Sequence, residues 1–145
     1  MRRSLLTLTL AFLATAGLAP LLASAQAAPA ATPYRVVVQV SEADPARWNL
    51  VLNNVKNLQD DLGANNVTVE IVAYGPGIGM LKFDAPTNSR VSDALKAGVT
   101  VLACENTMRN QTLARADMHP GVSYVPAGVV AIVKRQRDGW AYLRP

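Results

Sequence analysis

The stretch Val99-Thr100-Val101-Leu102-Ala103-Cys104-Glu105-Asn106-Thr107-Met108 carries a buried-type strand straight into a helix start, with the only cysteine of the chain at the junction. In a parallel α/β sheet the carboxyl ends of the strands open onto the ligand crevice, so a side chain at that junction is expected to face solvent and whatever binds there. The unpaired amides of the following helix point the same way and favour a thiolate, a persulfide or a bound oxyanion.

Upstream, strands and helices alternate. Tyr34-Arg35-Val36-Val37-Val38-Gln39-Val40 is β-branched with a nearly continuous apolar centre, the pattern of a strand covered on both faces. Asp44-Pro45 supplies a helix cap followed by proline at the first helical position, and Trp48, Val51, Leu52, Val55, Leu58 and Leu62 then form one apolar face up to a stop at Gly63. Asn49, Asn53, Asn54 and Asn57 lie largely off that face, either as solvated surface or with one of them bonding across a crevice. Val67 to Tyr74 reads as a second strand. It empties into Gly75-Pro76-Gly77-Ile78-Gly79-Met80, whose alternating glycines make either a tight turn or a loop that lets backbone approach an anion. The loop matches neither the dinucleotide fingerprint nor a P-loop. A helix from Thr87 or Asn88 to Gly98 then leads into the strand ending at Cys104.

Downstream, Asn106 or Thr107 is expected to cap a short helix carrying Met108, Thr112, Leu113 and Ala116. Val122 to Val125 reads as a fourth strand, Pro126 opens a last helix with Val129, Val130, Ile132 and Val133, and Trp140 to Arg144 reads as a fifth strand after Gly139. This alternation predicts one α/β domain, a parallel sheet with helices on both faces.

Residues 1–25 have the layout of an export signal: Arg2 and Arg3, an apolar run from Leu5 to Leu22, and Ala23-Ser24-Ala25 for cleavage. Residues 26–33 read as a flexible lead and 34–145 as the domain. Gly17 and Pro20 interrupt the apolar run and no basic stop-transfer cluster follows, which argues against a retained membrane anchor. The expected location is therefore periplasmic or secreted. Cleavage removes two of the 14 basic residues and none of the 10 acidic ones, lowering the formal charge from +4 to +2. That balance does not indicate a nucleic-acid partner, and Lys134-Arg135-Gln136-Arg137 is explained as a solvated helix end whose cations complement the last carbonyls.

A single cysteine in an exported chain cannot form an internal disulfide, so Cys104 is a buried small hydrophobe, a thiol in use, or paired with another chain. Helix-start amides would lower its pKa, and the carboxylate of Glu105 would oppose them. His119, the only histidine, either completes a Cys/His pair by folding over the crevice or stands as an exposed loop residue beside Pro120. One cysteine and one histidine fall short of a metal ligand set, and no cofactor is expected. The Asn-x-Thr sequences at Asn66 and Asn110 read as chance occurrences.

The motifs Val101-Leu102-Ala103-Cys104-x-Asn106-Thr107-Met108, His119-Pro120-Gly121-Val122, Val125-Pro126-Ala127-Gly128-Val129 and Gly139-Trp140-Ala141-Tyr142-Leu143-Arg144-Pro145 occur in an order that resembles the DsrE/DsrF-like family. The resemblance runs from Tyr34 to the end. It implies a three-layer α/β/α sandwich with a five-stranded, mostly parallel sheet, assembled as a homo-oligomer, a trimer or hexamer. It also implies a sulfur carrier, in which the family's persulfide-bearing cysteine matches Cys104 and sulfur passes between a donor and an acceptor protein. Asn106 and Thr107 would hold the anion, with Gly75, Gly77 and Gly79 as the opposite wall and His119 as an accessory group. This chain departs from the relay members in carrying an export signal and in placing Glu105 beside the sulfur. The alternative is a non-catalytic oligomeric module that binds a small ligand or a protein.

Overall fold

The computed structural model describes residues 33–145. The stretch read as an export signal, and all but the last residue of the stretch read as a lead, lie outside them.

The elements follow the expected alternation: β1 Tyr34–Val40, α1 Pro45–Leu62, β2 Val67–Ala73, α2 Asn88–Lys96, β3 Thr100–Cys104, α3 Glu105–Asn110, β4 Ser123–Val125, α4 Gly128–Arg137 and β5 Ala141–Leu143. Two 3₁₀ segments, Gly75–Leu81 and Arg115–Asp117, follow β2 and α3. The strands form one sheet in the order β4-β3-β2-β1-β5, every pair parallel. The long central strands are buried on both faces, as their uninterrupted apolar sequence requires.

Those faces are unequal. On one, Val36, Val38, Val69, Ile71 and Val101 meet Val51 and Val55 of α1, Val91 of α2 and Ile78 to Leu81 of the first 3₁₀ segment in a large core. On the other, the alternate residues Val37, Val72 and Leu102 meet Ile132 of α4 in a small one. The result is a three-layer α/β/α sandwich with a thin third layer. α4 leaves Val129, Val130 and Val133 exposed on its outer side. Among the described residues no helix is long and apolar enough to cross a membrane.

Local chemistry sets the helix ends. Asp44 caps α1 by accepting the Ala46 amide at 2.9 Å, and Gly63, at φ +86°, returns its amide to Gln59. The asparagines of α1 tie it to α2: Arg90 donates to Oδ1 of Asn49 at 2.5 Å and of Asn53 at 2.6 Å.

The bounds of the last two helices differ from the sequence reading. The helix after β3 starts at Glu105 with Cys104 itself in the capping position, and it ends at Asn110 because the chain reverses through Thr112 at φ +55°. The last helix starts at Gly128 with Ala127 in the cap position, two residues after Pro126. Within its basic run, Arg135 reaches inward to Glu70 on the sheet while its side chain stays partly exposed.

Candidate functional site around Cys104

Cys104 ends β3 at the carboxyl edge of the sheet. Ala103 belongs to the large core, so strand alternation sends the Cys104 side chain to the α4 face. There the Gly128 amide, at the start of α4, donates to Sγ across 3.3 Å. The sulfur thus lies between the first turns of two helices, α3 following it in sequence and α4 arriving from 24 residues later.

Burial pushes the Cys104 thiol up, and the Thr107 hydroxyl and the amides of Gly128, Thr107 and Asn106 pull it down; together they place it below the ordinary thiol value. Glu105 is not among the groups that shift it. Its carboxylate is held by Arg115 at 3.0 Å, and Arg115 lies 4.2 Å over the ring of Tyr124. Backbone amides thus face the sulfur as expected, but the expected exposure is absent: Cys104 is only 4 % exposed in the single chain. Nearby, Asn106 and Pro126 are exposed and Ala127 is half-buried.

The expected anion-binding residues separate. Thr107 is buried at the site, and its hydroxyl oxygen accepts the Gly75 amide at 2.9 Å, fastening the loop after β2 to α3. Gln111 reinforces this by donating to the Gly75 carbonyl at 3.1 Å. Asn106 contributes its backbone, which also donates to the Pro126 carbonyl at 3.1 Å, while its side chain accepts from Arg109.

Gly77 and Gly79 are not a ligand wall. A Cβ on Gly77 would lie 2.3 Å from the Val40 carbonyl oxygen, and one on Gly79 would lie 3.1 Å from the ring of Trp48. Both positions are small because the 3₁₀ segment packs directly on β1 and α1. His119 is neither exposed nor near the sulfur. It is 7 % exposed, its Nδ1 accepts the Gly121 amide at 3.0 Å and its Nε2 meets Ser92 Oγ of α2 at 2.7 Å. Since Ser92 Oγ donates to the Asn88 carbonyl at 3.2 Å, it receives the Nε2 proton, and the ring is fully engaged on the side of the sheet away from α4. Among the described residues no group of three potential ligands gathers to hold a metal.

Two residues on the α4 side of the sheet, one at this site and one at the far end of the helix, have weak signatures in the sequence. Gly128 looks like ordinary loop glycine, yet a Cβ there would stand 3.0 Å from Cβ of Tyr74. Glu70, 8 % exposed, accepts two bonds of 2.7 Å from Arg135 of α4. Its one signal is a carboxylate within the apolar run Val67-Thr68-Val69-Glu70-Ile71-Val72. A cavity of about 240 Å³ opens beside this side of α4, over Leu102 and Val125 and bordered by Pro126, Val130 and Lys134.

The domain superposes on the protein of unknown function MTH1491 from Methanobacterium thermoautotrophicum with a TM-score of 0.74 and 42 % identity, covering 77 % of this chain and 99 % of that one. The chain belongs to the MTH1491 family. The MTH1491 fold extends further. BT1422 from Bacteroides thetaiotaomicron, a conserved protein of unknown function, matches with a TM-score of 0.64 and 13 % identity over 77 % of this chain and 94 % of its own. The ychN protein from E. coli matches with 0.61 and 12 % over 77 % and 99 %. These two share the fold with the MTH1491 family. No family model and no curated protein matches the chain.

Proposed function

We propose that this member of the MTH1491 family is an exported sulfur carrier of the DsrE/DsrF-like kind, with Cys104 as the persulfide site. The observation that carries the reading is the Gly128 amide on Cys104 Sγ at 3.3 Å, at a junction where the thiol is held below its ordinary pKa. The Cys104 thiolate attacks the outer sulfur of a donor persulfide, and the donor's sulfur–sulfur bond breaks with its electron pair leaving on the donor thiolate. An acceptor thiolate then attacks the outer sulfur of the Cys104 persulfide and releases the Cys104 thiolate, with no net oxidation over the two steps. The same amides that hold the thiolate hold the persulfide anion. Because Cys104 is 4 % exposed, loading requires a local opening around the sulfur. The protein works outside the cytoplasm, after cleavage near Gln26, with donor and acceptor proteins of that compartment.

Intact-mass measurement of the folded protein after incubation with a small persulfide donor tests this. The wild type gains the mass of one sulfur atom and Cys104→Ser gains none; a wild type that stays unmodified until it is denatured ends the carrier reading.

That same burial favours a second reading, a non-catalytic homo-oligomeric binding module in which Cys104 is packing. The exposed valines of α4, 54 % at Val129, 48 % at Val130 and 59 % at Val133, are its interface. On this reading light scattering gives a native mass that is a multiple of the chain's, and Val130→Asp with Val133→Asp reduces it to the monomer. The native thiol is inert throughout.

A further inference from the structure

Helix α4 is attached to the sheet by a single stripe. Gly128, Ile132 and Arg135 stand at i, i+4 and i+7 and face the sheet together. Opposite them, alternate residues of β2 and its end supply one partner each: Tyr74 packs against Gly128, Val72 clusters with Ile132, and Glu70 takes the guanidinium of Arg135. Strand and helix keep step, because two strand residues advance about 6.7 Å and three or four helical residues about 5 Å. Of these three attachments only one is a buried apolar side chain, Ile132, and the outward valines of α4 add none. The directional element is the ion pair, two parallel bonds of 2.7 Å to a carboxylate that is 8 % exposed, with Arg135 also stacked 4.8 Å from the centre of the Trp140 ring. A helix fixed at its last turn by a bidentate pair has its axial position and rotation set for its whole length, and its first turn carries the Gly128 amide.

We propose that the Glu70–Arg135 pair is a positioning device for the candidate site: by fixing α4 against β2 it places the Gly128 amide on Cys104 Sγ. The proposal rests on the reading of Cys104 as the functional thiol, but not on sulfur transfer itself. Glu70 lies four residues before Tyr74 on β2, about 13 Å along the strand, so the pair acts through the helix and not by contact with the sulfur. The charged and titratable groups nearer the thiol are otherwise engaged or neutral. On α3, Glu105 is bonded to Arg115 and Arg109 to Asn106. Just past the end of β2, Tyr74 packs on Gly128. The Pro126–Ala127 link and the first turn of α4 carry no charge.

The sign of the effect separates positioning from simple electrostatics. Removing the negative charge of Glu70 would, by its field alone, stabilise the thiolate and lower the midpoint of Cys104 ionisation. Releasing α4 withdraws an N–H donor from the sulfur and raises it. The experiment is the pH dependence of Cys104 alkylation in the folded full-length protein, checked by the ultraviolet absorbance of the thiolate, for the wild type, Glu70→Gln and Arg135→Lys. Arg135→Lys keeps both charges and loses only the two-pronged geometry; its side chain is 37 % exposed, so the fold tolerates it. Both variants should raise the midpoint, by about one unit for Glu70→Gln, which means about tenfold less thiolate at a fixed pH below it. Val91→Ala, which loosens α2 on the other face of the sheet, should lower thermal stability without moving the midpoint. An unchanged or lowered midpoint in Glu70→Gln, or an unchanged one in Arg135→Lys, overturns the proposal. If Glu70→Gln does not fold, Arg135→Lys decides alone. A shift of equal size in Val91→Ala also overturns it, since general loosening would then suffice. A wild type that takes up no persulfide while the two variants still shift the midpoint ends the carrier reading and leaves the positioning role standing.

Discussion

Tyr74 and Gly128 meet closely: a Cβ on Gly128 would lie 3.0 Å from Cβ and 3.2 Å from Cδ1 of Tyr74, so a methyl there would require one of the two to give way. The same residue that packs on Tyr74 past the end of β2 donates its amide to the sulfur of Cys104 at 3.3 Å.

Gly128→Ala should therefore act on the thiol as well as on the fold. The added methyl pushes the first turn of α4 off Tyr74, at a stability cost of about 1–3 kcal/mol for overpacking of this kind. The midpoint of Cys104 alkylation should rise as its donor withdraws. Denaturant titration and a pH–rate profile measure the two effects separately, and a destabilised protein with an unchanged midpoint would remove Gly128 from the site.

The lowered pKa of Cys104 has a consequence for stability with a definite sign. At pH below the native value the thiol is protonated in both states and contributes nothing. Between the native value and the ordinary thiol value of about 8.5 the folded chain has released a proton that the unfolded chain retains, so stability rises with pH; above that window the contribution is complete. The difference in unfolding free energy between the wild type and Cys104→Ala should be flat at low pH and grow through this window as pH rises. A difference that shrinks with rising pH means that burial outweighs the amides.

The first two glycines of the segment after β2, Gly75 and Gly77, should respond differently to alanine. Gly77→Ala drives a methyl into the Val40 carbonyl, whose oxygen would be 2.3 Å away, and is expected to unfold the segment or cost more than about 3 kcal/mol. Gly75→Ala meets no atom within 4 Å and carries only the strain of φ +54°, about 1–2 kcal/mol. Thermal melts of the two variants check the ranking, and a tolerant position 77 would reopen it as a ligand-facing residue.

His119→Ala should separate structure from chemistry. It removes two hydrogen bonds and leaves a hole beside Leu95 and Ser92, at a cost of about 2–3 kcal/mol in stability. The pH midpoint of Cys104 alkylation and any persulfide uptake should stay at the wild-type values. A changed midpoint would restore the histidine to the site.

Much of the architecture was legible because it is written in short-range patterns. The β-branched runs of β1, β2 and β3, the Asp44-Pro45 start and the Gly63 stop each state a local preference that the fold keeps. The elements least legible were those whose local signals conflict with tertiary demands. Pro126 and the valines after it read as helix from the proline onward, yet α4 waits until Gly128, where the backbone can pass Tyr74. The glycines at 77 and 79 resembled a binding loop because small residues look alike whether a ligand or a neighbouring strand lies against them.

From the sequence alone it follows that strands and helices alternate and that a lone cysteine stands where a strand becomes a helix, since both are statements about neighbours along the chain. The side of the sheet taken by the sulfur, the amide that bonds it and the depth at which it lies depend on Gly128 arriving from 24 residues away. The pairing of Glu70 with Arg135 spans 65 residues. A carboxylate in an apolar strand signals that burial requires a partner, but five of the cations lie between positions 109 and 137 and their order does not say which one turns inward. Only the packing of α4 along β2 makes that choice, because the helix and the strand bring one guanidinium opposite one carboxylate and leave the other cations in water.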